Sequence, residues 1–170
     1  MGGRREVEGV ADFMQAPVAG RVVAVCFSRR RGTAKRDRGR GRLEVGVGLQ
    51  GDAHAGPGHR QVSLLARESI AKMEARGLRL RPGSFGENLT TEGVDIPGLK
   101  VGDRLAVGDS AVLEVTQVGK ECHARCAIYY KAGDCIMPRE GVFCRVIEPG
   151  EVRRGDPIWI LSPAGISPVA

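Results

Sequence analysis

Aromatic residues are scarce in this sequence, at 4% of its 170 positions, and no apolar run approaches the roughly 18 to 20 residues of a membrane-spanning helix. The N-terminal residues lack the apolar core of a signal peptide. Glu6 also stands where an N-myristoylation motif requires Ser or Thr. The sequence therefore predicts a soluble cytoplasmic protein without membrane partners, of a length that fits one domain.

Glycine and proline are abundant instead, with 25 and 9 residues scattered along the chain. Such a distribution favours many tight turns between short strands and a mainly β fold. We expect strands over Gly20 to Ser28, Leu43 to Gly48 and Ala111 to Val118, with Gly-Asp turns at Gly102-Asp103 and Gly155-Asp156. Closing these strands into a β-barrel would remove exposed strand edges.

One short helix is predicted after the first third of the chain. The helical pattern opens near Leu64 and continues from Ser69 to Arg76, and Gly77 is a suitable C-terminal stop. At this spacing Leu65, Ile70 and Met73 share one face. We expect this helix to be one of few.

The five cysteines form an odd number, which is not typical of a structural disulfide framework. Cys26 and Cys144 lie in apolar runs that resemble strands, so we expect each to be a small buried hydrophobic residue. The remaining three cysteines are the candidates for chemistry: Cys122, Cys126 and Cys135.

Eight cations crowd into the Gly-containing segment from Arg29 to Arg42, while the whole chain has a net charge of +6. Such a segment repels itself and is expected to form a mobile loop unless an anion orders it. Lys35 is accordingly a candidate phosphate ligand. Nucleic acid is a weaker alternative, because the segment has no interleaved aromatic residues for base stacking and the chain has no nucleic-acid-binding motif.

The segment from Gly119 to Ile128 brings two thiols together with the cationic or basic side chains Lys120, His123 and Arg125. Neighbouring positive charge lowers the pKa of a cysteine toward neutrality, and the thiolate is both a nucleophile and a ligand for soft metals. Cys122 and Cys126 could therefore hold a soft metal or a persulfide. Zinc bound with His123 and Cys135 is an alternative that the spacing disfavours. A disulfide between Cys122 and Cys126, which have Cys-x₃-Cys spacing, is another alternative.

Two glycine-rich loops supply further candidates. His54 and Arg60 could contact phosphate or substrate from the loop over 51–60, although such a histidine is commonly solvated or a cap. In the loop over 82–89, Glu87 and Asn88 could bond the edge of a heterocycle. They could equally bond only the backbone of a tight structural turn.

Four blocks of sequence occur in this order: 51–56 with 60–65, 82–93, 101–103 and 119–126. Taken together, they resemble the MOSC domain family, named for the C-terminal part of molybdenum cofactor sulfurases. The resemblance covers about residues 20 to 161 and implies a β-barrel-rich fold with a few short helices. We expect a domain over 18–162 between an N-terminal tail, 1–17, and a C-terminal tail, 163–170.

The resemblance also implies binding of molybdenum cofactor (molybdopterin) or transport of sulfur for it. Arg125-Cys126-Ala127-Ile128 is similar to the segment that ligates molybdenum in amidoxime-reducing relatives, whereas other small members match Cys122 better. Cys126 is thus the expected metal ligand, with Cys122 close behind. The expected cofactor contacts are Lys35, His54, Arg60, Glu87, Asn88, Lys120, His123 and Arg125.

Two functions follow as hypotheses. The first is reduction of small N-hydroxylated substrates with electrons from a redox partner protein. The second is a non-catalytic persulfide carrier that receives sulfur from a donor protein. Pyridoxal phosphate enters only through the family context, because we find neither the aminotransferase-like domain of the sulfurases nor the N-terminal β-rich domain of the amidoxime reducers. Some pterin contacts would then come from the basic loop around Lys35 or from a second subunit.

Overall fold

A computed structural model describes residues 17–119 and 140–161 of the chain. Within these residues the fold is mainly β, with eleven strands and one α-helix, α1, over Arg67–Glu74. A single 3-10 turn covers Ile96–Gly98. The strands are β1 Gly20–Phe27, β2 Arg36–Asp37, β3 Arg40–Glu44, β4 Gly48–Leu49, β5 Val62–Ala66, β6 Leu89–Glu92, β7 Arg104–Val107, β8 Ala111–Val118, β9 Val142–Glu148, β10 Gly150–Arg153 and β11 Pro157–Leu161.

Seven of the strands close into a barrel, as the sequence predicts. The order around the barrel is β11, β7, β8, β9, β5, β6 and β1, and pairing of β1 with β11 closes the ring. All neighbours are antiparallel except β5 and β6, which run parallel and are connected through α1. Closure leaves the barrel without a free edge, which explains how so many short strands are stable.

The barrel interior is an aliphatic core, and strand alternation separates it from the outer wall. On β9, Val142, Cys144 and Val146 lie in the core. Phe143, between them, packs instead with Leu65 and α1 in a second apolar cluster outside the barrel. One face of β9 therefore packs in the barrel core, and the other face packs against α1 outside the barrel.

The helix begins later than the sequence pattern predicts. Val62–Ala66 is strand β5, so the prediction that helical structure opens near Leu64 is wrong. The three predicted apolar residues nevertheless form one cluster, Leu65 from the strand with Ile70 and Met73 from α1. Gly77 follows the helix with a φ of 89°, a conformation that favours glycine after a helix end. Among the residues described, no helix is long and apolar enough to cross a membrane.

The basic segment is also more regular than predicted. It forms β2 and most of β3, so the expectation of one continuous mobile loop is wrong. β2 is held by pairing with β1, and β3 lies in a small sheet with β10 and β4. The predicted strand over Leu43 to Gly48 is likewise divided between β3 and β4, because Gly46, with a φ of 75°, turns the chain between them.

Candidate functional site

The segment that carries the candidate thiols begins and ends at one place on the barrel. Val118 of β8 pairs with Val142 of β9, and the Gly119 N–H donates to the Gly141 carbonyl at 2.7 Å. The predicted site residues in between lie outside the described residues. They are Lys120, Cys122, His123, Arg125 and Cys126, with the alternative zinc ligand Cys135.

A β-bulge shapes the wall beside this junction. The register of β8 against β9 shifts between Val115 and Gln117, which leaves Thr116 as an extra residue on β8. Gln117 then pairs with Phe143, so both side chains lie on the outer face. The Thr116 hydroxyl donates to the His59 carbonyl at 2.5 Å. The bulge therefore joins the 51–60 loop to the base of the thiol segment.

Arg60 lies on this outer wall. Its Nε donates to Gln117 Oε1 at 2.7 Å, and its guanidinium lies 5.3 Å from the centre of the Phe143 ring, a cation–π contact. His59 Nε2 lies 3.2 Å from the same Gln117 oxygen. Gln117 Nε2 in turn donates to the Gly119 carbonyl at 2.9 Å. A continuous set of contacts therefore connects Arg60 with the residue that precedes the thiol segment.

Lys35 occupies a different place, inside the protein. Its ammonium donates to Asp52 Oδ2 at 2.9 Å, and the side chains are 3% and 0% exposed. Burial alone would raise the pKa of Asp52, but the hydrogen bond and charge of Lys35 hold it below its ordinary value. His54 borders this pair, with its backbone N–H donating to Asp52 Oδ2 at 3.3 Å and its half-exposed ring nearby.

The side chain of Asn88 forms hydrogen bonds with the backbone of the barrel. Oδ1 accepts from the Ser63 N–H at 3.0 Å, and Nδ2 donates to the Cys26 carbonyl at 3.1 Å. These two bonds join the start of β5, the end of β1 and the 82–89 loop. The arrangement matches the alternative in which Asn88 stabilises a tight structural turn.

Glu87 is enclosed in the same way. Its carboxylate accepts hydrogen bonds from the Gly83 N–H, from the Phe85 N–H at 3.2 Å and from the Thr90 hydroxyl at 3.3 Å. Burial raises the pKa of Glu87 above its ordinary value, although the bonds from Gly83 and Phe85 act in the opposite direction. Glu87 therefore closes the turn in which it lies.

The predicted site residues thus divide into two groups. Lys35, Glu87 and Asn88 belong to a buried polar network with His54 at its border, and Arg60 stands on the outer wall. Sequence reasoning missed the partners that hold both groups, Asp52 and Gln117. Asp52 lies within the first sequence block, 51–56, whereas no local signal marks Gln117, because the bulge alone brings it to Arg60.

The two described cysteines are structural. Cys26 and Cys144 are buried and free of disulfides, as predicted. Burial raises the pKa of Cys26 to about 12, and the charge of Glu87 acts in the same direction. Burial also raises the pKa of Cys144. Across 17–119 and 140–161, no three His, Cys, Asp or Glu side chains are grouped so that they could hold a metal ion.

We expect these two thiols to resist alkylation in the native protein. Iodoacetamide at pH 8 should leave Cys26 and Cys144 unmodified until guanidinium chloride unfolds the chain, because a buried thiol with a raised pKa supplies little thiolate. Peptide mass spectrometry of native and denatured samples measures this. Rapid native labelling of either residue would show that the barrel interior is accessible.

Solved structures confirm the fold. The chain is similar to the YuaD protein from Bacillus subtilis, with 20% identity, a TM-score of 0.69 and coverage of 83% of this chain and 94% of that one. It is also similar to YiiM from Geobacillus stearothermophilus (18%, TM-score 0.62, coverage 84% and 75%) and to YiiM from Escherichia coli (24%, 0.57, 84% and 70%). No curated protein matches the sequence.

The family follows from the sequence blocks noted above. Residues 50–159 match the family model described as MOSC domain, a stretch that includes the 51–60 loop, the buried turn of Glu87 and Asn88, and the thiol segment. That match covers well over half of the chain, and it agrees with the barrel described here. The chain belongs to the MOSC domain family.

Proposed function

We propose that this protein binds molybdenum cofactor through the Cys126 thiolate, with Cys122 as the alternative ligand, and reduces small N-hydroxylated substrates. The carrying observation is the geometry of the two ends of the thiol segment in a MOSC barrel. The chain leaves β8 at Gly119 and returns to β9 at Gly141, and Gln117 connects Gly119 with Arg60. Cys26 and Cys144 are sealed in the core. The chemistry is thereby left to the thiols of the segment.

The outer wall fits an anionic group better than the buried network does. Arg60 is exposed, and within the described part of the chain it forms no salt bridge, so its guanidinium can pair with a phosphate. We assign Arg60 to the cofactor phosphate, together with Lys120 and Arg125 of the segment. Lys35, Glu87 and Asn88 already bond within the protein, and we assign them to support of the loops around the cofactor.

The proposed reaction is a balanced two-electron reduction. The N–O bond of the substrate breaks, the nitrogen takes up two electrons and a proton, and the oxygen leaves with a second proton as water. Bound molybdenum would supply the two-electron chemistry, and a redox partner protein would supply the electrons. The protein's own residues bind the phosphate and hold a thiolate.

Expression in a host that makes the cofactor tests the proposal. We expect purified wild-type protein to contain molybdenum and pterin near one equivalent each, and Cys126→Ala to lose the metal at least tenfold, because a soft thiolate ligand is removed. Cys144→Ala is the matched control and should keep its metal. Metal-free wild-type protein would contradict the proposal, and loss of metal from Cys122→Ala alone would move the ligand to Cys122.

Arg60 gives a second test. Arg60→Ala should lower pterin content severalfold while changing the free energy of unfolding by less than about 1 kcal/mol, because its contacts are on the surface. Arg60→Lys keeps the positive charge but not the planar guanidinium that forms two-point contacts. Its pterin content should therefore lie between those of wild type and Arg60→Ala. Pterin fluorescence and urea denaturation measure both quantities. Equal pterin content in Arg60→Ala would remove this residue from the site.

A persulfide carrier is the second candidate function. It is favoured by the hydrogen bonds that Lys35, Glu87 and Asn88 already form within the protein. The side chains of these residues already bond to partners within the described part of the chain, whereas a persulfide needs only a reactive thiolate. Incubation with a cysteine desulfurase should then add 32 mass units, about one sulfur atom, to wild type and none to the double variant Cys122→Ala, Cys126→Ala. Sulfur still added to the double variant would reject the carrier.

A further inference from the structure

A dense arginine surface lies on the small sheet and on strand β2, which pairs with β1. Six exposed arginines of β2, β3, β10 and the adjoining turns form this surface, which we call the arginine face. Three carboxylates lie among them, Asp37, Glu44 and Glu151, and Asp109 and Asp156 are close enough to act on Arg153. The arginines are Arg36, Arg38, Arg40, Arg42, Arg153 and Arg154.

Only half of these arginines are neutralised. Arg42 pairs with Glu44 at 2.5 Å, Arg153 with Glu151 at 3.0 Å, and Arg154 with Asp37 at 2.6 Å. Among the described residues Arg36 and Arg40 form no salt bridge, and Arg38 lies over the Phe27 ring at 5.2 Å. The face therefore keeps an excess of positive charge on strands that fix its geometry.

Apolar side chains adjoin the charge. Val45 and Val47, in the turn between β3 and β4, are 56% and 36% exposed. The turn is held to the 51–60 loop, because the Gly56 N–H donates to the Val47 carbonyl at 2.8 Å. Exposed aliphatic residues bordered by arginine are typical of the composition of protein–protein interfaces.

The arginine face is continuous with the loop of the candidate site. Arg31, next to the face, donates from Nε to the Ala53 carbonyl at 3.4 Å. The same loop continues to Arg60 and the base of the thiol segment. A protein bound on the face would thus contact the 51–60 loop, which is connected through Gln117 to Gly119.

We propose that the arginine face binds an acidic electron-donor protein. This inference rests on the proposed reduction, which needs such a donor. The guanidinium group of arginine forms two parallel hydrogen bonds with a carboxylate. A charged face also steers an oppositely charged partner and raises its association rate.

The mixture of charges favours protein over nucleic acid or membrane. Asp37, Glu44 and Glu151 lie among the arginines and would repel a continuous phosphate backbone, whereas they can pair with basic residues at the rim of a protein interface. The one aromatic ring at the face, Phe27, is covered by Arg38, so no ring is free for base stacking. Two valines give little apolar area for insertion into a bilayer.

Binding of a flavodoxin, an acidic protein that carries FMN, tests the proposal with the full chain. We expect binding at low salt that weakens steeply as ionic strength rises. The double variant Arg36→Glu, Arg40→Glu should bind at least about tenfold more weakly. The matched control Arg79→Glu, Arg81→Glu changes the same charge on exposed residues elsewhere and should remain within about twofold of wild type.

Three results would overturn the docking proposal: no binding by wild type, equal weakening in both double variants, or tighter binding of a single-stranded oligonucleotide or phosphatidylserine vesicles. Reduction of an N-hydroxylated substrate with dithionite needs no donor protein. It therefore separates the docking proposal from the proposed reductase function. Arg36→Glu, Arg40→Glu should keep its dithionite-driven rate and lose most of its flavodoxin-driven rate. Absence of dithionite-driven turnover in wild type would overturn the reductase function and leave the binding result standing.

Discussion

Replacement of Lys35 by Met is expected to lower the free energy of unfolding by about 3 to 5 kcal/mol, because it leaves the Asp52 carboxylate buried without its counter-charge. Both side chains of the pair are almost completely enclosed. The backbone N–H bonds to Asp52, from Ser28 at 3.2 Å and from His54 at 3.3 Å, satisfy oxygens but bring no positive charge. Urea denaturation at pH 7 measures the loss.

Two variants separate the buried charge from a general effect of losing a cation. Arg154→Met breaks an exposed salt bridge, with Asp37, and should cost less than about 1 kcal/mol. Lys35→Met combined with Asp52→Leu removes both charges and should recover much of the stability. A small loss in Lys35→Met, similar to that in Arg154→Met, would contradict the burial of an ionic pair.

The Lys35–Asp52 pair also predicts how the free energy of unfolding changes at acidic pH. The folded-state pKa of Asp52 lies below its unfolded value of 3.8, so its contribution is present above that value. It is lost as pH falls through the lower folded-state pKa. The double variant should lack this acidic loss. Thermal unfolding of wild type and double variant between neutral pH and pH 2 compares the two curves.

Gly83→Ala is expected to destabilise the protein by about 2 to 5 kcal/mol, which combines left-handed backbone strain with overpacking. Gly83 has a φ of 88°, and an added Cβ would lie 2.1 Å from the Lys35 carbonyl oxygen. That contact is with backbone, so no side chain can rotate away. The change would also disturb the bond from the Lys35 N–H to the Gly83 carbonyl.

Gly86→Ala is the matched control in the same loop. Gly86 has a similar φ of 80°, but an added Cβ would meet nothing within 4 Å. Its cost should be backbone strain alone, about 1 to 2 kcal/mol. Equal losses of unfolding free energy in the two variants, by urea denaturation, would show that close packing of the 82–89 loop against Lys35 is unimportant.

Local patterns predicted much of the barrel. The bounds of β8, Ala111–Val118, are those expected from its β-branched residues, and β1 differs from its prediction by one residue. Both predicted buried cysteines lie in strands of the core. These successes share a cause, because the side chains of a strand alternate between core and surface wherever the strand is placed.

Other elements depended on contacts distant in sequence. Leu64 and Leu65 fit a helical pattern, yet pairing with β6 and β9 makes Val62–Ala66 a strand. The arginine-rich segment looked mobile, yet pairing of β3 with β10 orders it. A local charge pattern carries no information about a partner strand more than a hundred residues away.

The amino-acid sequence by itself determined the family, the mainly β class and the buried state of Cys26 and Cys144, and it is the source of the proposal that the thiol segment carries the chemistry. Only the tertiary structure separated the candidate ligands, because burial and pairing are properties of the folded chain. Lys35 looked like one cation among eight and proved to be buried against Asp52. Arg60 proved to be connected with Gly119 through Gln117, because a bulge at Thr116 turns Gln117 toward it.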